Sequence, residues 1–113
     1  MVLSMHPFLA VSCSLALVAL ASITTAQAKS ARCYTSDDGE YSCTFVATAR
    51  DGSFEISGEG SPTFSLVMDS PGRAYGFADY GSGSVALPGV YVRDKEDPAC
   101  WVNDQTSARI CAW

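Results

Sequence analysis

The body of this 113-residue chain has no histidine, because the single one, His6, lies within an apolar N-terminal stretch. The chain also has no G-x-S-x-G turn of the kind that holds a serine nucleophile. Histidine and an activated serine or cysteine are the usual base and nucleophile of acyl transfer. We therefore predict no catalytic residue, no cofactor and no enzyme activity.

A sustained helical period is also missing, since Gly and Pro interrupt every window long enough to hold a helix. The remaining glycine-rich stretches have no strand-to-helix context, so they indicate turns rather than a phosphate-binding loop. These glycines are Gly76, Gly81, Gly83 and Gly89. The pattern excludes helical folds and nucleotide-binding loops.

The first 28 residues differ from the rest. An apolar run extends from Phe8 to Ile23, and Ala26 and Ala28 form an A-x-A cleavage site. We predict a signal peptide over residues 1–28 and a single domain over residues 29–113, in a periplasmic or secreted protein. The apolar run is shorter than the roughly 20 residues of a membrane span, and it continues too far past Cys13 for lipid attachment there. No membrane span is expected after cleavage.

The chain has fewer basic residues than acidic ones. The chain has seven Lys/Arg against twelve Asp/Glu, and all of them follow residue 28, so its formal net charge of −5 belongs to the domain. An acidic domain is a poor ligand for nucleic acid or anionic lipid. The charge is compatible with a basic protein partner, and it leaves the oligomeric state open.

Four of the five cysteines follow residue 28, namely Cys33, Cys43, Cys100 and Cys111. An even number in an exported domain predicts two disulfides, with three possible connectivities. Hairpin symmetry favours Cys33 with Cys43 and Cys100 with Cys111, because each pair flanks a short polar loop. A metal site is the alternative, but the spacing is wide and no histidine is available, so we predict no metal.

Short alternating runs separated by Gly, Pro and Asp predict eight or nine β-strands. The expected fold is all-β, a small antiparallel meander that closes as a barrel or a two-sheet sandwich, with two disulfide-clamped hairpins. A two-residue turn at Asp51-Gly52 would pair Ala47 with Ile56. A second turn at Pro71-Gly72 would set Met68 beside Tyr75 and Leu66 beside Phe77.

These registers divide the aromatic residues between two faces. The shared apolar face, expected to form the core, would carry Tyr41, Phe45, Phe54, Phe64, Tyr75, Phe77 and Trp113. The opposite face would carry Tyr34, Tyr80, Tyr91 and Trp101. In a closed barrel this second set is partly exposed and is a candidate binding face. In a sandwich it would cover an edge.

Two acidic clusters are the remaining candidates for chemistry: Asp37, Asp38 and Glu40 in the first, and Asp94, Glu96 and Asp97 in the second. A glycosidase needs one carboxyl group with a raised pKa, whereas turns keep carboxylates solvated and ionised. Neither cluster has the ligand spacing of a calcium loop. We expect solvated loops.

The hairpin Cys33-Tyr34-x-x-Asp37-Asp38-Gly39, the segment 51–56 and the closing Cys100-Trp101 with Cys111-Ala112-Trp113 resemble small exported proteobacterial proteins of unknown function. That resemblance covers residues 29–113 and implies no activity. More distantly, the architecture is similar to that of the periplasmic inhibitors of C-type lysozyme, which implies inhibition. The segment 81–84 matches the serine and lysine loop of those inhibitors only loosely, without the lysine.

These observations favour a non-catalytic binding or inhibitory module of the cell envelope. A structural envelope protein that associates with itself is the alternative. A hydrolase that depends on carboxylates such as Asp37 or Asp97 ranks last.

Overall fold

A computed structural model describes residues 27–113, so the predicted signal peptide lies outside the described residues except for its last two positions. Nine antiparallel strands make up the described chain. They are β1 (Lys29–Thr35), β2 (Gly39–Ala47), β3 (Phe54–Ser57), β4 (Thr63–Ser70), β5 (Arg73–Asp79), β6 (Ser84–Ala86), β7 (Tyr91–Arg93), β8 (Cys100–Asn103) and β9 (Arg109–Ala112).

The strands form a closed barrel, which confirms the all-β prediction and decides between barrel and sandwich. The sheet order is β4-β3-β2-β1-β9-β8-β7-β5-β6, and β4 also pairs with β5. Eight strands therefore close on themselves, and β6 is an additional strand beside β5. Closure needs the first strand to meet the last, and Tyr34 in β1 pairs with Cys111 in β9. A barrel of eight strands is filled by its own side chains.

The loops gather at two ends of this barrel. One end, called the mouth, consists of segments 36–38, 58–62, 79–90 and 104–108, which join β1 to β2, β3 to β4, β5 to β7 and β8 to β9. The other end, called the base, holds the connections at 48–53, 71–72 and 94–99 together with both chain ends of the domain. At the base, the guanidinium of Arg93 lies 4.7 Å from the centre of the Trp101 ring.

Both predicted disulfides are present. Cys33–Cys43 lies within the core, whereas Cys100–Cys111 joins directly paired residues of β8 and β9 with Cα atoms 4.0 Å apart. The first pair is diagonal, because Cys33 pairs with Tyr41 in the sheet and Cys43 pairs with Ala31. Two disulfides indicate an oxidising, extracytoplasmic environment.

The turn between β2 and β3 is longer than the predicted two-residue turn. Ala47 pairs with Phe54 rather than with Ile56, and the amide of Thr48 donates to the carbonyl of Ser53. The register is thus shifted by two residues. Because strand side chains alternate with a period of two, an even shift leaves Phe54 and Ile56 facing the core as predicted.

The predicted register of β5 is wrong by one residue. Ser70 pairs with Arg73 across the Pro71-Gly72 turn, but a β-bulge at Asp69 then shifts the ladder so that Leu66 pairs with Gly76. A shift of one residue turns every side chain to the other face. Tyr75, predicted to be in the core, is therefore 45% exposed, and Phe77 is only partly buried.

Small residues take the inward positions of β5 instead. Ala74, Gly76 and Ala78 face the core, and a Cβ atom added to Gly76 would lie 2.4 Å from the Tyr91 ring. The bulge therefore makes room for an aromatic side chain from the neighbouring strand β7, in which Tyr91 pairs with Ala74. Tyr91 is only 3% exposed, and it belongs to the same buried cluster as Phe64.

Two other aromatic predictions need correction. Trp101, assigned to the outer face, is 2% exposed, with its ring centre 6.5 Å from that of Phe54. Trp113, assigned to the core, is 49% exposed and donates its indole N–H to Asp97. Trp101 faces inward because it pairs with the core residue Ile110 on the same face of the closing hairpin.

We predict that Gly76→Ala destabilises the domain by about 1–3 kcal/mol, since the added methyl group meets the Tyr91 ring within a closely packed interior. Urea unfolding of the oxidised domain measures this change. In a Tyr91→Leu background the same substitution is expected to cost less, because the obstructing ring is gone. An equal cost in both backgrounds would contradict the packing described for β5.

Replacing either cysteine pair by alanine is expected to lower the free energy of unfolding by roughly 2–4 kcal/mol. The two pairs should have similar effects, since they are separated by 10 and 11 residues. Thermal unfolding of each double variant tests this prediction. Peptide mapping that joined Cys33 to Cys111 in the parent protein would refute the pairing.

Candidate functional site

A cavity of about 240 Å³ opens at the mouth of the barrel. Its apolar lining comes from Phe64, Leu87, Tyr91 and Ile110, which belong to four different parts of the sheet. Polar residues of the loops after β1 and β8 complete the rim. An apolar cavity with a polar rim at a barrel mouth is a common location for a binding site.

Tyr80 links this cavity to a second one. The second cavity, of about 500 Å³, lies between the loop at 60–63 and the segment 79–81, and Tyr80 lines both. The Tyr80 side chain is 64% exposed. An exposed aromatic residue between two concave surfaces can contact a ligand in either one.

Burial raises the pKa of the Tyr91 phenol above its ordinary value of 10.0, and the nearby Tyr80 and Asp37 raise it further, while a hydrogen bond with Asn103 acts in the opposite direction. The phenol is therefore protonated at neutral pH. It offers a hydroxyl group, and not a charge, to anything that enters the cavity.

Asn103 holds two walls of the cavity together. Its side-chain oxygen accepts hydrogen bonds from the amides of Gln105 and Thr106, and its Nδ2 donates to the carbonyl of Pro88 at 2.6 Å. The residue is buried. It thus joins the loop after β8 to the segment that follows β6, and a fixed rim results.

Asp104 reinforces this connection. Its carboxylate accepts a hydrogen bond from the amide of Val90, and its own amide donates to the carbonyl of Val90. Gly89 packs against the same loop, where an added Cβ would lie 2.7 Å from the Asp104 carboxylate. Since Gly89 also has a φ of 66°, this close approach needs glycine.

The mouth is rich in carboxylates. Its four segments contain five of them and, within the described residues, no lysine or arginine, although the next residue after the last segment, Arg109, lines the cavity. The five are Asp37, Asp38, Glu59, Asp79 and Asp104. The other seven acidic residues equal in number the seven Lys/Arg of the domain, of which Arg109 lines the cavity and is paired with Asp94.

Three of these carboxylates also support the loops. Asp38 accepts a hydrogen bond from the Thr35 hydroxyl, Asp79 accepts from the amides of Gly81 and Gly83, and Asp104 is bound as described above. Asp37 and Glu59 accept no hydrogen bond from any of the residues 27–113. Both are exposed, Asp37 at the cavity and Glu59 beside Ser42 and Thr44 of β2.

The four predicted binding residues do not form one surface. Tyr80 and Tyr91 meet at the cavity, Tyr80 exposed and Tyr91 buried, whereas Trp101 lies in the core. Tyr34 lies opposite Cys111 on the outer face of the barrel, away from that cavity. The predicted face was wrong for Tyr91 and Trp101 because the closing hairpin and β7 turn those two side chains inward.

Sequence reasoning missed Asn103 and Leu87. An asparagine between an apolar strand and Asp104-Gln105-Thr106 is a signal for an Asx turn, and it was available in the sequence. No comparable signal indicated that Leu87 lines the cavity, because its position depends on where β6 pairs with β5.

The two acidic clusters lie at opposite ends. Asp37 and Asp38 are at the mouth, whereas Asp94 and Asp97 are at the base. The pKa of Asp94 is lowered, first by the amide of Glu96 and then by the Arg109 guanidinium, which is the reverse of what a general acid requires. Asp97 accepts from the Ala99 amide and the Trp113 indole.

Among residues 27–113, no three potential metal-ligating side chains come together. The same part of the chain contains no helix with the length and apolarity to cross a membrane. Comparisons of the chain with protein-family models, curated proteins and solved structures gave no match.

We predict that Asn103→Ala lowers the free energy of unfolding by roughly 1–3 kcal/mol, because two amides and one carbonyl lose their partner. Gln105→Ala, at an exposed neighbouring position, is the matched control and should change it by less than about 0.5 kcal/mol. Hydrogen exchange should locate the loss at residues 88–90 and 104–106. Equal protection there in both variants would contradict the bracing role.

Proposed function

We propose that this chain is a periplasmic or secreted, non-catalytic binding module, and that it binds a basic protein partner at the mouth of the barrel. The observation that carries this proposal is that the end of the barrel where the cavity opens is also the end whose loops are rich in carboxylates. Inhibition of a basic hydrolase is one form that such binding takes.

The negative charge at the mouth favours association with a basic partner in particular. Five carboxylates produce a negative potential that attracts a basic surface and accelerates encounter. Arg109, which lines the cavity, is paired with Asp94 rather than with any of the five. At physiological ionic strength this attraction extends about 8 Å from the surface. Asp37 and Glu59 contribute to it without being neutralised by an ion pair within the described residues.

Contact at the cavity provides the apolar part of the interaction. Tyr80 is a large, exposed amphipathic side chain, and aromatic residues of this kind often carry much of the binding free energy of an interface. The bracing by Asn103 and Asp104 reduces the loop ordering that binding would otherwise cost. A rigid, acidic mouth with one exposed aromatic residue suits recognition rather than turnover.

Self-association in the cell envelope is the second candidate function. Val67 and Tyr75 are cross-strand neighbours on the outer face of β4 and β5, and they are 44% and 45% exposed. Exposed apolar neighbours on a barrel wall suit a contact between two copies. This surface lies on the wall, so the two candidate functions can be separated by mutation.

A pull-down with the oxidised domain tests the proposal. The bait is presented to envelope extract and to a panel of basic hydrolases that includes lysozymes, and bound proteins are identified by mass spectrometry. A saturable basic partner released by salt supports a binding module, and inhibition of that partner's activity would define its role. An oxidised bait that retains no protein argues against it, and concentration-dependent sizing then tests self-association.

We predict that the double variant Asp37→Asn/Glu59→Gln binds the captured partner roughly fivefold more weakly, since each exposed charge contributes at most about 1 kcal/mol. Its affinity should also depend less steeply on salt. The control Glu55→Gln/Glu96→Gln removes the same charge away from the mouth and should bind nearly as the parent does. Equal losses in both variants would show that net charge alone, and not the mouth, governs binding.

A further inference from the structure

β6 has one paired edge and one free edge. Its three residues pair with β5 through Phe77, Ala78 and Asp79, and within residues 27–113 nothing pairs with its other side. The amide of Leu87, the next residue, donates to Gly76 of β5. Hydrogen bonds alternate along an antiparallel strand, so Val85 also bonds toward β5, whereas the amides and carbonyls of Ser84 and Ala86 point outward.

The free edge belongs to the mouth. β6 and β7 both pair with the same side of β5, one beyond the other, and β8 continues the sheet beside β7 alone. β8 does not extend beside β6, so within residues 27–113 no strand pairs with the second edge of β6. Leu87 and Pro88, which follow β6 directly, and Tyr80, four residues before it, line the 240 Å³ cavity.

We propose that an extended basic segment of the partner protein binds here by adding a strand to the free edge of β6. This inference rests on the proposed function and specifies how the partner is held. The outward amides and carbonyls of Ser84 and Ala86 supply the main-chain hydrogen bonds, as in other cases of strand addition. An unprotected edge otherwise invites unwanted association.

The surroundings of β6 select a basic segment. All three residues of β6 are exposed and uncharged, with no lysine to discourage pairing. Asp79 is directly paired with Ser84, so it shares the face on which alternate side chains of an added strand would lie. Asp37 lines the cavity, and the guanidinium of Arg109, which also lines it, is paired with Asp94.

Side chains on the other face would turn toward the cavity. Val85 pairs with the buried Ala78, which places its side chain on the inner side of the sheet, and Leu87 packs against the core. A strand added beside β6 therefore presents every second residue to an apolar surface. The predicted ligand is an extended segment in which basic and apolar residues alternate.

The probe for this proposal is a capped eight-residue peptide of alternating lysine and valine, titrated into the oxidised domain. Ala86→Pro removes an outward amide but no bond to β5, a position that edge strands tolerate. Ala86→Thr is its control, because it also replaces the methyl group but retains the amide. We expect roughly tenfold weaker binding to Ala86→Pro and a change of less than about twofold for Ala86→Thr.

A second probe separates strand addition from attraction of charge. The same peptide with an N-methyl group on every residue keeps its lysines but cannot donate along either edge, and it should bind roughly tenfold more weakly than the unmodified peptide. Equal binding of both peptides, or of the parent and Ala86→Pro, would overturn strand addition. The salt-dependent capture of a basic partner in the pull-down would then still support the proposed function.

Hydrogen exchange provides a test without mutation. On addition of the lysine and valine peptide, the amides of Ser84 and Ala86 should exchange at least about tenfold more slowly, while that of Val85, already bonded to β5, should change less. Unchanged exchange at Ser84 and Ala86 would refute the proposal. A dimer that Ala86→Pro dissociates, with no binding of the peptide, would overturn it in favour of pairing between two copies.

Discussion

The pairing of β1 with β9 is the constraint on which the rest of this barrel depends. A domain of this size buries too little surface for a large margin of stability, and an open sheet of eight strands would leave two edges unpaired. Closure satisfies those backbone groups and encloses the core. Both disulfides act close to this seam: Cys33 and Cys43 are in the core beside it, and Cys111 lies in β9 opposite Tyr34.

The bulge at Asp69 illustrates how local geometry decides packing within a closed barrel. By shifting β5 by one residue, it turns Tyr75 outward and brings Gly76 against the Tyr91 ring. The interior gains space for Tyr91 from the adjacent strand β7. The cost is an exposed aromatic residue beside Val67, and that pair is the surface on which self-association would depend.

At the mouth, the barrel is incomplete in a way that concentrates several binding features. β6 pairs with the same side of β5 as β7 does, but nearer the mouth, and within residues 27–113 no strand pairs with its other edge. The cavity opens beside β6. The rim is fixed by Asn103 and its loops are rich in carboxylates. Rigidity, a negative potential, an exposed Tyr80 and unpaired main-chain groups are the features on which the proposed recognition of an extended basic segment depends.

The sequence by itself determined the strand content, the approximate positions of the turns and the disulfide pairing, because alternation, Gly and Pro positions and hairpin symmetry are local properties. It also determined the charge of the domain. Tertiary structure decided which aromatic residues are buried, since a one-residue bulge reversed Tyr75, and pairing with Ile110 turned Trp101 inward. It decided that the sheet closes, and only closure arranges the loops that carry Asp37, Glu59 and Asp104 around one opening, because that arrangement depends on contacts between residues far apart in the chain.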